Sequence, residues 1–451
     1  MLLTMSICED LSSDASHEDE DIRQLYQARQ IWLAAPTQQM MNQVEEVHRR
    51  IWNHYRRRHH HPRRGSSRSE TMDAEKSCDE QQRSAYVVAG ERLALILLQS
   101  GRVQEADEIL HELGYTCRLA RSVFQPETII ESIQRPRMSS TLIPCQVWDS
   151  FLPLGLLRKL QSIFCPVDAP YWTDHHYRVE PPTPYFSYLV PLNDVLPSTS
   201  SENVSSNCNT LLARVIQQVY QQIAVTFKPI IANAATACEL WAHNRPLPTG
   251  HQLHFDTDNE GCDRTLLHPL VTCILYLSAA GVGGGPTLIT NQRLVSPHAA
   301  DRGWLASAQE NRAVLMDGRV LHCVVPGRVI VEPSETKDAV SPAAGKKTNP
   351  ETEAPSAQQH RRVTLMLAFW KRIRLRDEAT HGAARPLPGN ASWAQALQQP
   401  VEDKEATVTT DATMQSVPPT ALSHVYESVP EGKPWTRQMG LPAYDQVFQG
   451  V

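Results

Sequence analysis

Gly250-His251-Gln252-Leu253-His254-Phe255-Asp256 is the stretch on which the rest of the chain turns. In a β-strand, residues two apart share a face, so Gln252, His254 and Asp256 line one side and Leu253 and Phe255 the other. An imidazole and a carboxylate on one wall are two of the three ligands of a 2-His-1-carboxylate site, which leaves open positions on Fe(II). The doublet alone is weak. With 18 His in the chain, about one His-x-Asp is expected by chance. A second copy, His17-Glu18-Asp19, sits in an acidic, unpatterned leader with no later partners. The copy at 254 is followed, in order, by a β-rich segment, a glycine cluster, a second histidine on a strand, and an arginine opening a last strand.

That second histidine is His322, in Arg312-Ala-Val-Leu-Met-Asp-Gly-Arg-Val-Leu-His322. Asp317-Gly318 is a turn signal between two apolar runs. The strand it starts puts Val320 and His322 on one face. The arginine comes in Arg361-Arg362-Val-Thr364-Leu-Met366-Leu-Ala-Phe-Trp370, where Arg362, Thr364 and Met366 alternate onto one face. A buried guanidinium needs an anion, and its planar fork matches a carboxylate through charge-assisted bonds of roughly 1.5–3 kcal/mol each. Arg361 is the register alternative and would face solvent if Arg362 points inward.

Composition bounds the rest. The 451 residues suffice for one large or two ordinary domains plus tails, and a hydrophobic content of 41% supports a sizeable core. A net charge of −6 gives no global reason to expect a nucleic-acid or anionic-membrane partner. The 10 Cys are scattered without CxxC pairs, so neither a zinc framework nor a disulfide scaffold is indicated. There is no basic-flanked leader and no apolar run of about 18 residues, so neither a signal peptide nor a membrane span is expected. A reducing compartment, cytoplasm or nucleus, is the default.

Along the chain, residues 1–83 read as an extension. It has an acidic start, then a helical pattern over about 21–58 broken near Pro36, with an apolar stripe of Met40, Val44, Val47, Ile51 and Tyr55. The basic run over 49–64 suggests a nuclear-localisation or nucleic-acid contact, but more simply a solvated helix end at a linker. Residues 84–140 hold a helix pair broken at Ser100-Gly101 and stopped at Gly114, expected to flank the main domain rather than form a repeat array. The main domain is placed at 141–375. It opens with a strand and helix over 147–164, a Pro-rich irregular stretch over 170–205, and an amphipathic helix from Leu211 to Phe227. Strands follow at 238–243, 250–256, 271–277, 287–290, 313–316, 320–325 and 362–370, a pattern of a sandwich or jelly roll. Residues 332–360 read as a disordered insertion between core strands, and 376–451 as a largely irregular tail.

The order His254-x-Asp256, Gly283-Gly-Gly-Pro-Thr287, His322, Arg362-x-Thr364 resembles the Fe(II)/2-oxoglutarate-dependent dioxygenase superfamily, nearest its prolyl-4-hydroxylase-like branch. The resemblance covers about 145–375 and is specific over 238–370. It implies an α+β protein: a double-stranded β-helix (jelly roll) core flanked by helices, with a helical N-terminal extension and disordered insertions. It implies Fe(II) held by His254, Asp256 and His322, with 2-oxoglutarate and O2 as co-substrates and ascorbate in support. It further implies that Arg362, helped by Thr364 and Tyr276, binds the far carboxylate of 2-oxoglutarate. The Pro-Thr pair after the glycines and the long spacing from His322 to Arg362 depart from the usual pattern. The activity implied is hydroxylation of a substrate C–H bond, as in a prolyl or other protein side chain. The alternatives are a small metabolite or methylated nucleic acid as substrate, or a catalytically silent binding module. Tyr177, Trp241, His243, Arg245, His251 and His268 are further candidates to face the substrate.

Overall fold

The computed structural model describes residues 17–34, 36–60, 72–126, 143–179, 186–197, 209–227, 229–258, 266–278, 284–330, 361–374, 384–402, 414–429 and 440–444. The insertion expected at 332–360 lies outside them, as do residues 1–16 of the acidic leader and 61–64 of the basic run, while the end of the leader from His17 opens the first helix.

Four helices come first: α1 (His17–Leu33), α2 (Gln38–His60), α3 (Met72–Gln99) and α4 (Val103–Glu112). β1 (Cys117–Leu119), α5 (Arg121–Phe124), β2 (Cys145–Asp149), α6 (Leu154–Phe164), α7 (Pro170–Asp174), β3 (Ser187–Pro191) and α8 (Leu192–Val195) follow. Next are α9 (Leu211–Phe227) and α10 (Pro229–Ala234). The main run of strands is β4 (Ala237–Pro246), β5 (His251–His254), β6 (Val271–Tyr276), β7 (Thr287–Arg293), β8 (Gly303–Ala306), β9 (Arg312–Asp317), β10 (Val320–Val324) and β11 (Arg361–Trp370). The tail adds β12 (Ala384–Pro386), α11 (Ser392–Leu397), β13 (Gln415–Val417), β14 (Thr420–Leu422) and β15 (Tyr426–Ser428).

Two large sheets carry the fold. One has eight strands in the order β12-β3-β4-β11-β6-β9-β2-β13, the other five in the order β14-β8-β7-β10-β5. Period-2 alternation gives each strand two faces with different neighbours. The inward faces meet in one apolar cluster. Trp241, Ile274, Val314, Met366 and Trp370 of the large sheet pack there with Ile289, Trp304 and Val320 of the small one. The outward face of the large sheet, including Leu240, Leu275 and Leu365, is covered by α6, α7, α9 and α11. The outward face of the small sheet, including Leu253, Leu288, Leu305 and Leu321, is covered by α1 to α4. Helices thus cover both outer faces of a two-sheet centre. Gln99, at the end of α3, donates to the carbonyls of Pro326 and Gly327 and ties the first helical layer to the loop after β10.

Several expectations need correction. Burial on α2 follows Met41, Val44, Ile51 and Tyr55, with His48 completing the three- and four-residue spacing, while Met40 is exposed. The boundary expected at 83/84 falls within α3, and all four N-terminal helices share one core cluster. Asp317-Gly318 turns the chain as read, but β9 and β10 belong to different sheets, so the turn passes between sheets instead of closing a hairpin. A Cβ on Gly318 would come within 2.5 Å of the Pro269 carbonyl oxygen, which explains the glycine. The tail, read as largely irregular, supplies edge strands to both sheets, and β15 pairs with β1. In the basic run, Arg49 pairs with Glu45 and Glu105, and Arg56 with Glu112. Among the described residues no helix is long and apolar enough to cross a membrane.

Candidate metal centre

His254 ends β5 and His322 lies in the middle of β10, where the two are register partners across an antiparallel pair. Asp256 follows two residues after His254. The pairing brings three side chains that are far apart in sequence to one point: a ligand-type atom of each lies within 4.8 Å of the others. The Nε2 atoms of His254 and His322 stand 3.5 Å and 3.7 Å from Asp256 Oδ1. No other group of three or more His, Cys, Asp or Glu is so placed among the described residues.

The surroundings decide which atoms are free. His254 Nδ1 donates to the Gln252 carbonyl at 2.8 Å, and His322 Nδ1 to the Val320 carbonyl at 3.1 Å. Both rings are thereby held in the tautomer whose unprotonated Nε2 faces Asp256, as a metal-ligating imidazole requires. Thr272 donates to Asp256 Oδ2 at 2.7 Å, leaving Oδ1 toward the rings. Burial and the neighbouring His254 push the His322 imidazole down to about 4. Burial alone would raise the Asp256 carboxyl, but the two imidazoles and Thr272 outweigh it and hold it at about 2. Two neutral nitrogens and one anionic oxygen converge, a donor set suited to a borderline divalent metal and not to an all-oxygen cation such as Mg²⁺. The residues present fit Fe(II).

Beside the triad, the inward faces of β4, β11 and β6 form a polar patch. Arg362 pairs in register with Arg245, and Thr364 with both His243 and Tyr276. Arg362 is 4% exposed and donates only to backbone, to Gly285 O at 3.3 Å and Thr249 O at 3.2 Å. No carboxylate pairs with it among the described residues. Desolvation pulls it down to about 10. Tyr276 is buried, and its hydroxyl shares a 2.7 Å hydrogen bond with Thr287. One row further in, Trp241 and Met366 pair and begin the apolar floor. A Cβ on Gly285 would fall 1.6 Å from the Val325 carbonyl oxygen, so only glycine lets β7 start this close to the β10 exit.

The six residues given metal or co-substrate roles from the sequence, His254, Asp256, His322, Arg362, Thr364 and Tyr276, lie on this inward side. Arg361 turns to the opposite face as alternation demands, but is not free in solvent: it donates to the side chain and carbonyl of Asn244. Tyr177 is also not in the patch, its hydroxyl instead accepting the Asn244 amide beyond the point where β3 stops pairing with β4. His268 donates to the Asp256 carbonyl and so orients the ligand loop. Thr272 and Thr287 were missed. Thr272 shares the period-2 face of Tyr276, which could have indicated it; Thr287 shows only in the fold.

No protein-family model matches the sequence, and no curated protein does. Solved structures are similar over part of the chain. A prolyl-4-hydroxylase of Pseudomonas putida shows 16% identity and a TM-score of 0.28 over 51% of this chain and 89% of that one. A viral collagen prolyl hydroxylase of Paramecium bursaria Chlorella virus-1, in complex with 2-oxoglutarate, shows 12% and 0.25 over 50% and 96%. A Burkholderia pseudomallei oxidoreductase of the 2OG-Fe(II) oxygenase family shows 11% and 0.18 over 34% and 48%. Likenesses this faint carry no argument about function, which has to be read from the residues themselves.

Proposed function

We propose that this chain is an Fe(II)- and 2-oxoglutarate-dependent dioxygenase that hydroxylates a substrate C–H bond, its two sheets forming a double-stranded β-helix. A protein side chain such as prolyl is the substrate favoured by the sequence resemblance. The observation that carries the reading is the combination of three converging metal-type ligands with a buried, carboxylate-free arginine on the same inward wall. His254, Asp256 and His322 would hold the metal, and their fixed tautomers and the Thr272 bond would keep the three donors aimed at it. Arg362 and Thr364 would grip the far carboxylate of 2-oxoglutarate, with the Tyr276–Thr287 hydroxyl pair beside them. Fe(II) with bound keto acid supplies the O2 chemistry that hydroxylates a C–H bond, the keto acid leaving as succinate and CO2. The protein's part is to bind, to orient, and to keep bulk water off the buried side, where Trp241 and Met366 close the floor. No general base is required of the protein, consistent with a patch built of donors and ligands rather than an acid/base dyad.

The test is conversion of 2-oxoglutarate to succinate with Fe(II) and O2, run without added substrate on the native chain and on His254→Ala. Iron-dependent turnover in the native chain alone supports the reading. Absence of turnover, together with absence of metal binding, would leave a silent binding module.

A further inference from the structure

The inward patch contains one cation more than the proposed co-substrate needs. Arg245 is 3% exposed and is the direct cross-strand partner of Arg362, so two guanidiniums stand side by side in the interior. Like charges directly opposite on a sheet repel, and buried charges are ordinarily paired. Arg245 donates only to the Gly250 carbonyl, at 3.3 Å, and its Nε has no partner. Around it, three more buried polar atoms have no partner: His243 Nδ1, His251 Nδ1 and Thr249 Oγ1. All four can donate hydrogen bonds, and no carboxylate answers any of them among the described residues.

The count of anions matters here. When 2-oxoglutarate chelates a metal through its keto and adjacent carboxylate groups, one carboxylate remains, which satisfies one guanidinium. Arg362 is placed for it, next to Tyr276 and Thr364. Arg245 lies on the other side, near His251 of β5. The ring centroids of His243 and His251 are 5.3 Å apart, and those of His251 and His254 are 4.9 Å apart. This is also the side on which the triad is least covered, the His254 side chain being 25% exposed. The His243 and His251 rings thus lead from Arg245 to His254, the most exposed of the three ligands.

We propose that Arg245, with His243, His251 and Thr249, forms a second anion subsite that binds a carboxylate carried by the substrate itself. This rests on the dioxygenase reading above and narrows its substrate class to molecules with a carboxylate near the oxidised carbon, which for a protein means a C-terminal residue or one beside an acidic side chain. A guanidinium fork takes a carboxylate bidentately, and the imidazole and threonine donors occupy the remaining lone pairs. Holding the acid here would fix the substrate's orientation relative to the metal ligands.

The test uses the full chain with Mn(II) and 2-oxoglutarate, titrated with N-acetylproline, its uncharged methylamide, and inorganic phosphate. Binding is read from Mn(II)-induced broadening of the probe resonances, and in a metal-free arm by saturation transfer. N-acetylproline should bind and its methylamide should not. Arg245→Gln should weaken N-acetylproline by about 10-fold or more, as expected for a lost charge-assisted pair, Arg245→Lys should recover most of it, and 2-oxoglutarate affinity should stay within about twofold. Arg362→Gln should do the reverse. Equal binding of acid and methylamide, no binding of either anion, phosphate preferred over the acid, or loss of 2-oxoglutarate affinity in Arg245→Gln would each overturn the subsite. If the metal does not load while carboxylate binding in the metal-free arm still depends on Arg245, the dioxygenase reading fails and the subsite stands.

Discussion

Two regions of this molecule bury arginines, and they treat them differently. Arg118, in β1 beneath the N-terminal helices, has a side chain 3% exposed and pairs with Asp107 at 2.5 Å and Glu427 at 2.5 Å. Both acids come from neighbouring structure, α4 and β15, and the charge is neutralised inside the fold. Arg362 and Arg245 are as deeply buried, yet meet only backbone carbonyls. In the first region the fold supplies the counter-ion. In the second it supplies the cation and leaves the anion to arrive from outside. A paired buried charge is evidence about folding, whereas an unpaired one beside three convergent metal ligands is evidence about ligands.

The sharpest way to break the contrast is to remove each cation. Arg118→Met strands two carboxylates and should lower stability by about 3–5 kcal/mol in chemical unfolding. Arg362→Gln strands no charge, giving up only two long bonds to the Gly285 and Thr249 carbonyls while removing an unpaired buried cation, so the unliganded chain should be unchanged or slightly more stable. Its 2-oxoglutarate affinity should nevertheless fall by roughly 100-fold, about the two charge-assisted bonds lost, as read by calorimetry. If Arg362→Gln destabilises the free chain as much as Arg118→Met does, the distinction collapses.

The helical layer also has an unanswered group of its own. His48 is buried, donates from Nδ1 to the Val44 carbonyl, and leaves Nε2 without a partner. Burial, with Arg92 adding repulsion, pushes it from 6.5 down to about 4. The unfolded chain therefore takes up a proton below the ordinary value that the folded chain refuses until about pH 4. Stability should be fully present above that ordinary value and fall as pH drops through the window between the two, by at most about 3 kcal/mol. His48→Leu should flatten this slope in denaturation curves across the window; an unchanged slope would show that other groups set it. The smallest effect lies in the metal's surroundings. Thr272→Val, which removes only the bond to Asp256 Oδ2, should weaken Mn(II) binding by roughly 10–100-fold with the fold intact.

Much of the site was legible because its chemistry and its periodicity coincide. Arg362-x-Thr364 uses the two-residue repeat of a long apolar strand, whereas β5 is four residues and ends at His254, so Asp256 reaches the site from the segment that follows it rather than from the strand itself. The helix over Leu211–Phe227 has the expected bounds, although Val225 in its last turn is 76% exposed. What was missed depends on partners remote in sequence. β8 is four buried residues with no alternation to mark it, and β3 emerges from a Pro-rich stretch because β4 and β12 pair with it. β13, β14 and β15 are three residues each, too short for any pattern. Arg245 was a named candidate, but nothing in a linear reading sets it opposite Arg362. That needs the register of β4 on β11.

The most direct test of the central claim is equilibrium binding of Mn(II) and 2-oxoglutarate to the native chain, Asp256→Ala and Arg362→Gln. The account predicts one Mn(II) per native chain and 2-oxoglutarate binding that depends on it. Asp256→Ala should lose both ligands, and Arg362→Gln only the keto acid. A native chain that holds no Mn(II), or an Asp256→Ala chain that holds it equally well, would contradict it.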